Sequence, residues 1–176
     1  MMRGLIWLLS AATLALYLVM VLWSLPYIAS EAGGLAAFDM RPVGYSFDEA
    51  RAFLTALSDE GNAFYRDVQH QLDLYFPGLL AAWLFLTIAT LLPKRLGGWR
   101  YVIAAPVFLT AVFDWSENQA VTEMLSVGAG NLTEELVARA NMWTIAKATA
   151  STVAYVALLV LLIWKGAAWW RRRGVT

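Results

Sequence analysis

The chain contains no cysteine. Disulfide frameworks, thiolate metal sites and cysteine nucleophiles are thereby excluded. Its one histidine is His70, so a site needing two imidazoles from one chain, such as an HExxH zinc centre, cannot form. No GxSxG motif is present, and neither Ser116 nor Ser151 has a histidine base at a motif-like position. Charge is also scarce: Asp, Glu, Lys and Arg make up 15% of the residues, against about 25% in a typical soluble domain. The formal net charge is zero, and no nucleic-acid partner and no cofactor are expected.

Apolar residues are what the chain has in quantity, at 60% of the total, with a mean hydropathy of +0.58. Nine tryptophans are many for 176 residues. Trp and Tyr favour the membrane–water boundary, where ring and polar tip each find a suitable medium. Four apolar stretches stand out, at about residues 5–27, 72–92, 101–121 and 142–164.

Between those stretches the charges are sorted by sign. Arg3, Lys94, Arg95, Arg100, Lys165, Arg171, Arg172 and Arg173 gather at one set of ends with no acid among them. All thirteen Asp and Glu fall toward the other side, with Arg41, Arg51, Arg66, Arg139 and Lys147. Basic residues in short loops stay cytoplasmic. The reading is an all-α fold, a four-span transmembrane helical bundle with both termini and the 93–100 loop inside. The 29–71 and 119–141 connections then lie outside. With no organelle signal, a bacterial inner (plasma) membrane is the expected location. One membrane domain, 1–176, accounts for the chain, without internal repeat or second domain.

The first span follows Met1-Met2-Arg3. Its apolar run exceeds the 7–15 residues of a signal-peptide core, so it reads as an uncleaved span ended by Pro26. Ser10, Thr13, Tyr17 and Ser24 share one face of it. Gly33-Gly34, Pro42 and Gly44 predict an irregular loop. Ser46-Phe47-Asp48-Glu49 fits a capping box. It opens an amphipathic segment over 46–71, with Phe47, Ala50, Phe53, Leu54 and Leu57 on one face and Gly61 as a break. Pro77, one turn after Asp73, removes the helical partner of the Asp73 carbonyl. Asn131, with Glu134 three residues on, is read as the cap of the last helix, and Lys165, Trp169, Trp170 and Arg171-Arg172-Arg173 anchor its inner end. Ala146, Ala150 and Ala154 permit close packing along that helix.

The third span is the unusual one. Tyr101 to Phe113 is free of charge, but thirteen residues cannot cross a core of ~30 Å, which takes about twenty. The helix must therefore continue through Asp114 and Glu117. At ~1.5 Å per residue, Asp114 lies ~21 Å from the inner boundary, in the outer half of the core. Asp114, Glu117 and Asn118 occupy one helical face. Asn141, Thr144, Lys147, Ser151 and Tyr155 spread over one side of the fourth span, and Asp73 enters the second span on the same side of the membrane. Ionisable groups inside a membrane are costly and face a bundle interior or cavity.

These residues define a candidate ligand-binding set: Asp73, Tyr75, Asp114, Trp115, Glu117, Asn118, Lys147 and Ser151. In this set Lys147 holds an anionic headgroup, Asp114 and Glu117 orient it or accept from ligand hydroxyls, and Tyr75 and Trp115 line the rim. A Lys–carboxylate network that only fixes helix register is the architectural alternative. No metal site is expected. Asp73, Asp114, Glu117 and His70 have oxygen and nitrogen donors suited to hard or borderline cations, but only Asp114 and Glu117 are fixed in spacing. His70 is expected at the interface, bonded to Asp67, Asp73 or a headgroup.

Phe38-Asp39-Met40-Arg41-Pro42, Gly44-Tyr45-Ser46, Leu74-Tyr75-Phe76-Pro77 and Asp114…Glu117-Asn118 resemble stretches of small bacterial four-helix integral membrane proteins to which no activity is attached. The resemblance implies a fold and no reaction. The functional expectation is a pocket for a lipid-like or small amphiphilic ligand. Its rivals are a membrane-embedded enzyme using Asp114 or Glu117 as general acid/base, and an accessory subunit of a larger membrane complex. The partners expected are the lipid bilayer, a lipid or amphiphile, and either further copies of the chain or a larger assembly.

Overall fold

The computed structural model describes residues 2–173, and among them every regular element is helical. The side chains of Arg3, Arg172 and Arg173, part of the inner-charge expectation, lie outside the described set. Helix α1, Met2–Val19, passes through a π-helical turn at Met20–Ser24 into α2, Leu25–Glu31. A short 3₁₀ turn, Phe38–Met40, interrupts the following loop, and α3 covers Phe47–Ala56. Helix α4, Asp59–Phe64, runs through a second π-helical turn at Tyr65–Gln69 into α5, His70–Leu91. A 3₁₀ turn at Lys94–Leu96 leads to α6, Trp99–Ala104, then a 3₁₀ turn at Ala105–Val107 and α7, Phe108–Val127. Helix α8, Glu134–Arg173, is 40 residues long.

Three of these helical runs are long and apolar enough to cross a membrane: Gly4–Glu31, Asp59–Leu91 and Glu134–Arg171. Their sides carry many exposed large apolar residues, among them Trp7, Leu8, Leu22, Trp23, Val153, Val160 and Ile163. Apolar surface on that scale marks a protein in contact with lipid or other protein. The expected third span, 101–121, is also helical, but it is divided at Pro106 and carries Asp114 and Glu117. It is not among the three.

Several boundaries differ from the sequence expectation, each for a local reason. Pro26 does not end the first helix. It occupies the first turn of α2, just after the π-helical turn, where a missing N–H costs little. Gly61 is not the break in the amphipathic segment. The chain breaks at Leu57, and Ser58 caps α4 by accepting from the Gly61 N–H at 2.9 Å. Gly61 instead lets two helices touch: a Cβ there would lie 2.5 Å from the Glu31 Cβ. The cap of α8 is Thr133 rather than Asn131, its hydroxyl accepting from the Leu136 N–H at 3.2 Å. The Ser46–Glu49 capping box forms as expected.

The buried apolar residues form two clusters. One contains Ile28, Phe38, Phe53, Tyr65, Val121 and Met124, and gathers α2, α3, the loop before it and the adjoining ends of α7 and α8. In α3, Ala50, Phe53 and Leu54 are the buried residues. Each fully buried ring of this kind contributes about 1.5–3 kcal/mol. The other cluster contains Ala81, Leu84, Ile88, Ala104, Val107, Ala111, Ala154 and Leu158, from α5 to α8. Along α7 and α8, the stretch between the two clusters is where Asp114, Glu117, Thr144 and Lys147 lie.

Candidate functional site

Helices α7 and α8 make the most extensive pairing in the fold, and the ion pair sits within it. Lys147 Nζ lies 2.6 Å from Glu117 Oε2 and 3.2 Å from Asp114 Oδ1. The Glu117 side chain is 1% exposed, Asp114 12% and Lys147 22%. Glu117 is held from its other side by the Thr144 hydroxyl, which donates to Oε1. Burial removes all three charges from solvent, and their mutual attraction repays that only when geometry and extra hydrogen bonds are good. Here Glu117 has a donor on each oxygen.

A third carboxyl lies beside this group. Asp73 is 3% exposed, and the Gln69 amide donates to it at 2.9 Å. The two are joined by Asn118. Its amide reaches the Asp73 main-chain oxygen and Asp114 Oδ1, both at 3.4 Å. That main-chain oxygen is the one Pro77 leaves without a helical donor. One residue on, the Leu74 carbonyl accepts from Trp115 Nε1 at 3.1 Å. The polar face of α7 therefore repairs the α5 backbone as well as pairing with Lys147.

The loop that precedes α3 supplies a fourth carboxyl. Asp39 accepts from the Tyr65 hydroxyl at 2.5 Å. The loop is held down by Asn141, whose Oδ1 accepts from the Tyr45 N–H at 2.9 Å. Gly44 adopts φ +88°, and a Cβ there would overlap Asn141 Oδ1. Arg41 donates twice to the Ala36 carbonyl, and its guanidinium lies 5.6 Å from the ring centres of Phe38 and Phe53. Burial holds the Tyr45 phenol well above its ordinary range, so it remains a neutral hydroxyl beside Thr144.

A cavity of about 260 Å³ opens on this cluster, bounded by Asp39, Glu117, Thr144, Lys147, Ser151 and Tyr155, with Pro42, Ala148 and Thr152. Of the eight residues expected to bind ligand, Glu117, Lys147 and Ser151 border it. Asp73, Asp114 and Asn118 support it from behind. Tyr75 and Trp115 do not line it: they are 61% and 43% exposed on the outside of α5 and α7. His70 also departs from expectation. Its Nδ1 lies 3.1 Å from the Thr122 hydroxyl, and its Nε2 is buried without a partner. Among the described residues no group of three or more His, Cys, Asp or Glu is arranged to hold a metal ion.

Asp39 is the member of the site that sequence reasoning missed. It sits in a Gly- and Pro-rich loop whose path depends on contacts with Asn141 and Tyr65, so nothing local marks it. Thr144 and Tyr155 shared the Lys147 side of the last span, which was the available signal.

The cluster presents carboxylate acceptors, hydroxyls that both donate and accept, and one ammonium with two of its three N–H bonds committed. No protein-family model, curated protein or solved structure matches the chain.

Proposed function

We propose that the protein is a four-span membrane protein of a bacterial inner membrane whose carboxylate–lysine cavity binds the polar end of a lipid-like or amphiphilic small molecule. The observation that carries this reading is the cavity itself. It joins Asp39, Glu117, Lys147 and Ser151 in a fold whose sides are otherwise apolar. Ligand sites are typically apolar hollows with a few convergent polar groups. In this reading Lys147, held by Glu117 and Asp114, keeps one N–H for the ligand, while Asp39, Glu117 and Ser151 accept from it.

The α6–α7 run serves as the fourth span. Its acids are tolerated because Lys147 and Thr144 face them. Both termini are cytoplasmic, and α3 and α4 lie on the outer side. A reporter phosphatase fused at residue 60 is then active, and an inactive fusion overturns that orientation. An enzyme reading needs both Asp114 and Glu117 at the cavity, and only Glu117 borders it.

Native mass spectrometry of the protein extracted with its lipids tests the binding. A bound species is expected in the natural protein and lost in Ser151→Leu, which fills the cavity and leaves the ion pair alone. Identical spectra for the two proteins would end the ligand reading.

A further inference from the structure

Tyr155 borders two cavities at once. One is the polar cavity described above. The other, about 440 Å³, lies among α1, α5 and α8, and its walls include Thr13, Tyr17, Phe76, Leu80 and Trp83. Tyr17 and Phe76 stack there with ring centres 6.2 Å apart. Lys147, Ser151 and Tyr155 follow one another at intervals of four along α8, so Tyr155 lies about 12 Å further along the helix axis than Lys147. Moving along α8, the space changes from polar to apolar.

The second cavity contains one unmet polar demand. Most helical hydroxyls here bond to a carbonyl three or four residues back, as Ser10, Thr110, Ser116, Thr122 and Thr152 do. Ser10 also accepts from Trp83 Nε1 at 2.7 Å. Thr13, like Thr87 in α5, makes no such bond. It is 8% exposed, and its hydroxyl has no partner. A buried hydroxyl left unpaired is costly, and an acceptor on a bound molecule relieves it.

The charges of the polar cavity restrict the head of that molecule. A phosphate would meet Asp39 and Glu117, and an ammonium would meet Lys147. Hydroxyls can donate to the carboxylates and accept from Lys147. We infer that the two cavities together hold one single-chain amphiphile with a neutral, hydroxylated head. Its hydroxyls lie against Asp39, Glu117 and Lys147, an ester carbonyl accepts from Thr13, and the chain runs between Phe76, Leu80 and Trp83. Monoacylglycerols have this chemistry. The inference rests on the amphiphile reading above and adds the head, the ester and the chain compartment.

Binding of 1-monooleoylglycerol to the purified full chain, titrated by native mass spectrometry, is the test. It should bind at least tenfold more tightly than oleoyl lysophosphatidate or oleylamine. Thr13→Val should weaken the ester about fivefold and leave the matching 1-O-oleyl ether unchanged. Leu80→Trp should abolish binding of both, and Leu80→Ala, which enlarges the compartment, should shift the preference toward longer chains. Equal binding of the phosphate or amine probe overturns the head assignment. If binding is lost in Ser151→Leu but unchanged in Leu80→Trp and Leu80→Ala, the chain compartment is wrong and the amphiphile reading stands. If Ser151→Leu also leaves it unchanged, both are wrong.

Discussion

The side-chain amide of Asn118 donates to the main-chain oxygen of Asp73, the carbonyl that Pro77 strips of its helical donor. A proline on one helix is thus answered by an amide on another. This ties α5 to α7 at the level of the ion pair.

That relationship predicts an energetic coupling. Asn118→Ala should cost about 1 kcal/mol, the usual net worth of one hydrogen bond. In a Pro77→Ala background the residue 73 carbonyl regains an N–H from within its own helix, so the same change should cost less. A double-mutant cycle from unfolding in mild detergent measures the difference, and additive costs would show that the two residues do not cooperate.

Lys147 neutralises two buried carboxylates, so its loss leaves both unpaired. Lys147→Met should destabilise the bundle by about 3–5 kcal/mol, as breaking a buried pair does. Adding Glu117→Gln and Asp114→Asn should recover part of that loss. Chemical denaturation of the three proteins decides it, and a triple variant no more stable than the single one would argue against charge as the cause.

Gly44 has no room for a side chain. Its φ of +88° already disfavours any other residue, and a Cβ would overlap Asn141 Oδ1. Gly44→Ala should destabilise by about 1–3 kcal/mol and loosen the loop that carries Asp39. Faster amide exchange across residues 38–45 is the expected signature. Unchanged exchange would place the loop's anchorage elsewhere.

The α3 capping box is sensitive to pH. Glu49 is held below its ordinary range by the Ser46 main-chain and side-chain donors. A lowered carboxyl contributes stability above its unfolded value, about 4.3, and loses it as pH falls through the folded value. Glu49→Ala should therefore lower the melting temperature at pH 7, with the gap closing in strong acid. A gap independent of pH would exclude the ionised carboxylate as its source.

The helices and the central ion pair were legible in the sequence because both follow from local rules. Span length forced Asp114 and Glu117 into the bundle, charge sorting put Lys147 on the same side of it, and Pro77 marked the carbonyl that needed help. Phase along the helix was harder. Tyr75 and Trp115 adjoin Leu74 and Asp114 in sequence, yet at about 100° per residue neighbours face different directions. Tyr75 is exposed, and Trp115 lies across the surface of α5 with its indole N–H on the Leu74 carbonyl. Asp39 was hidden for another reason: its position is set by Tyr65 and Asn141, 26 and 102 residues away. The three long apolar helices were plain. The α6–α7 run was less so, since polarity at 114–118 and the turn at Pro106 remove the continuous apolar stretch that marks a span.

The ion pair also fixes an order of events during synthesis. Asp114 and Lys147 stand 33 residues apart in the chain, with the acid made first. At 5–20 residues per second, α7 carries Asp114 for roughly 2–7 s before its cation is translated. Through that interval its two carboxylates have no partner on α8, and hydrocarbon is a poor place for them. On the four-span reading proposed above, the α6–α7 run is expected to linger at the insertion machinery and enter the bilayer together with α8, as a pair of helices rather than one at a time.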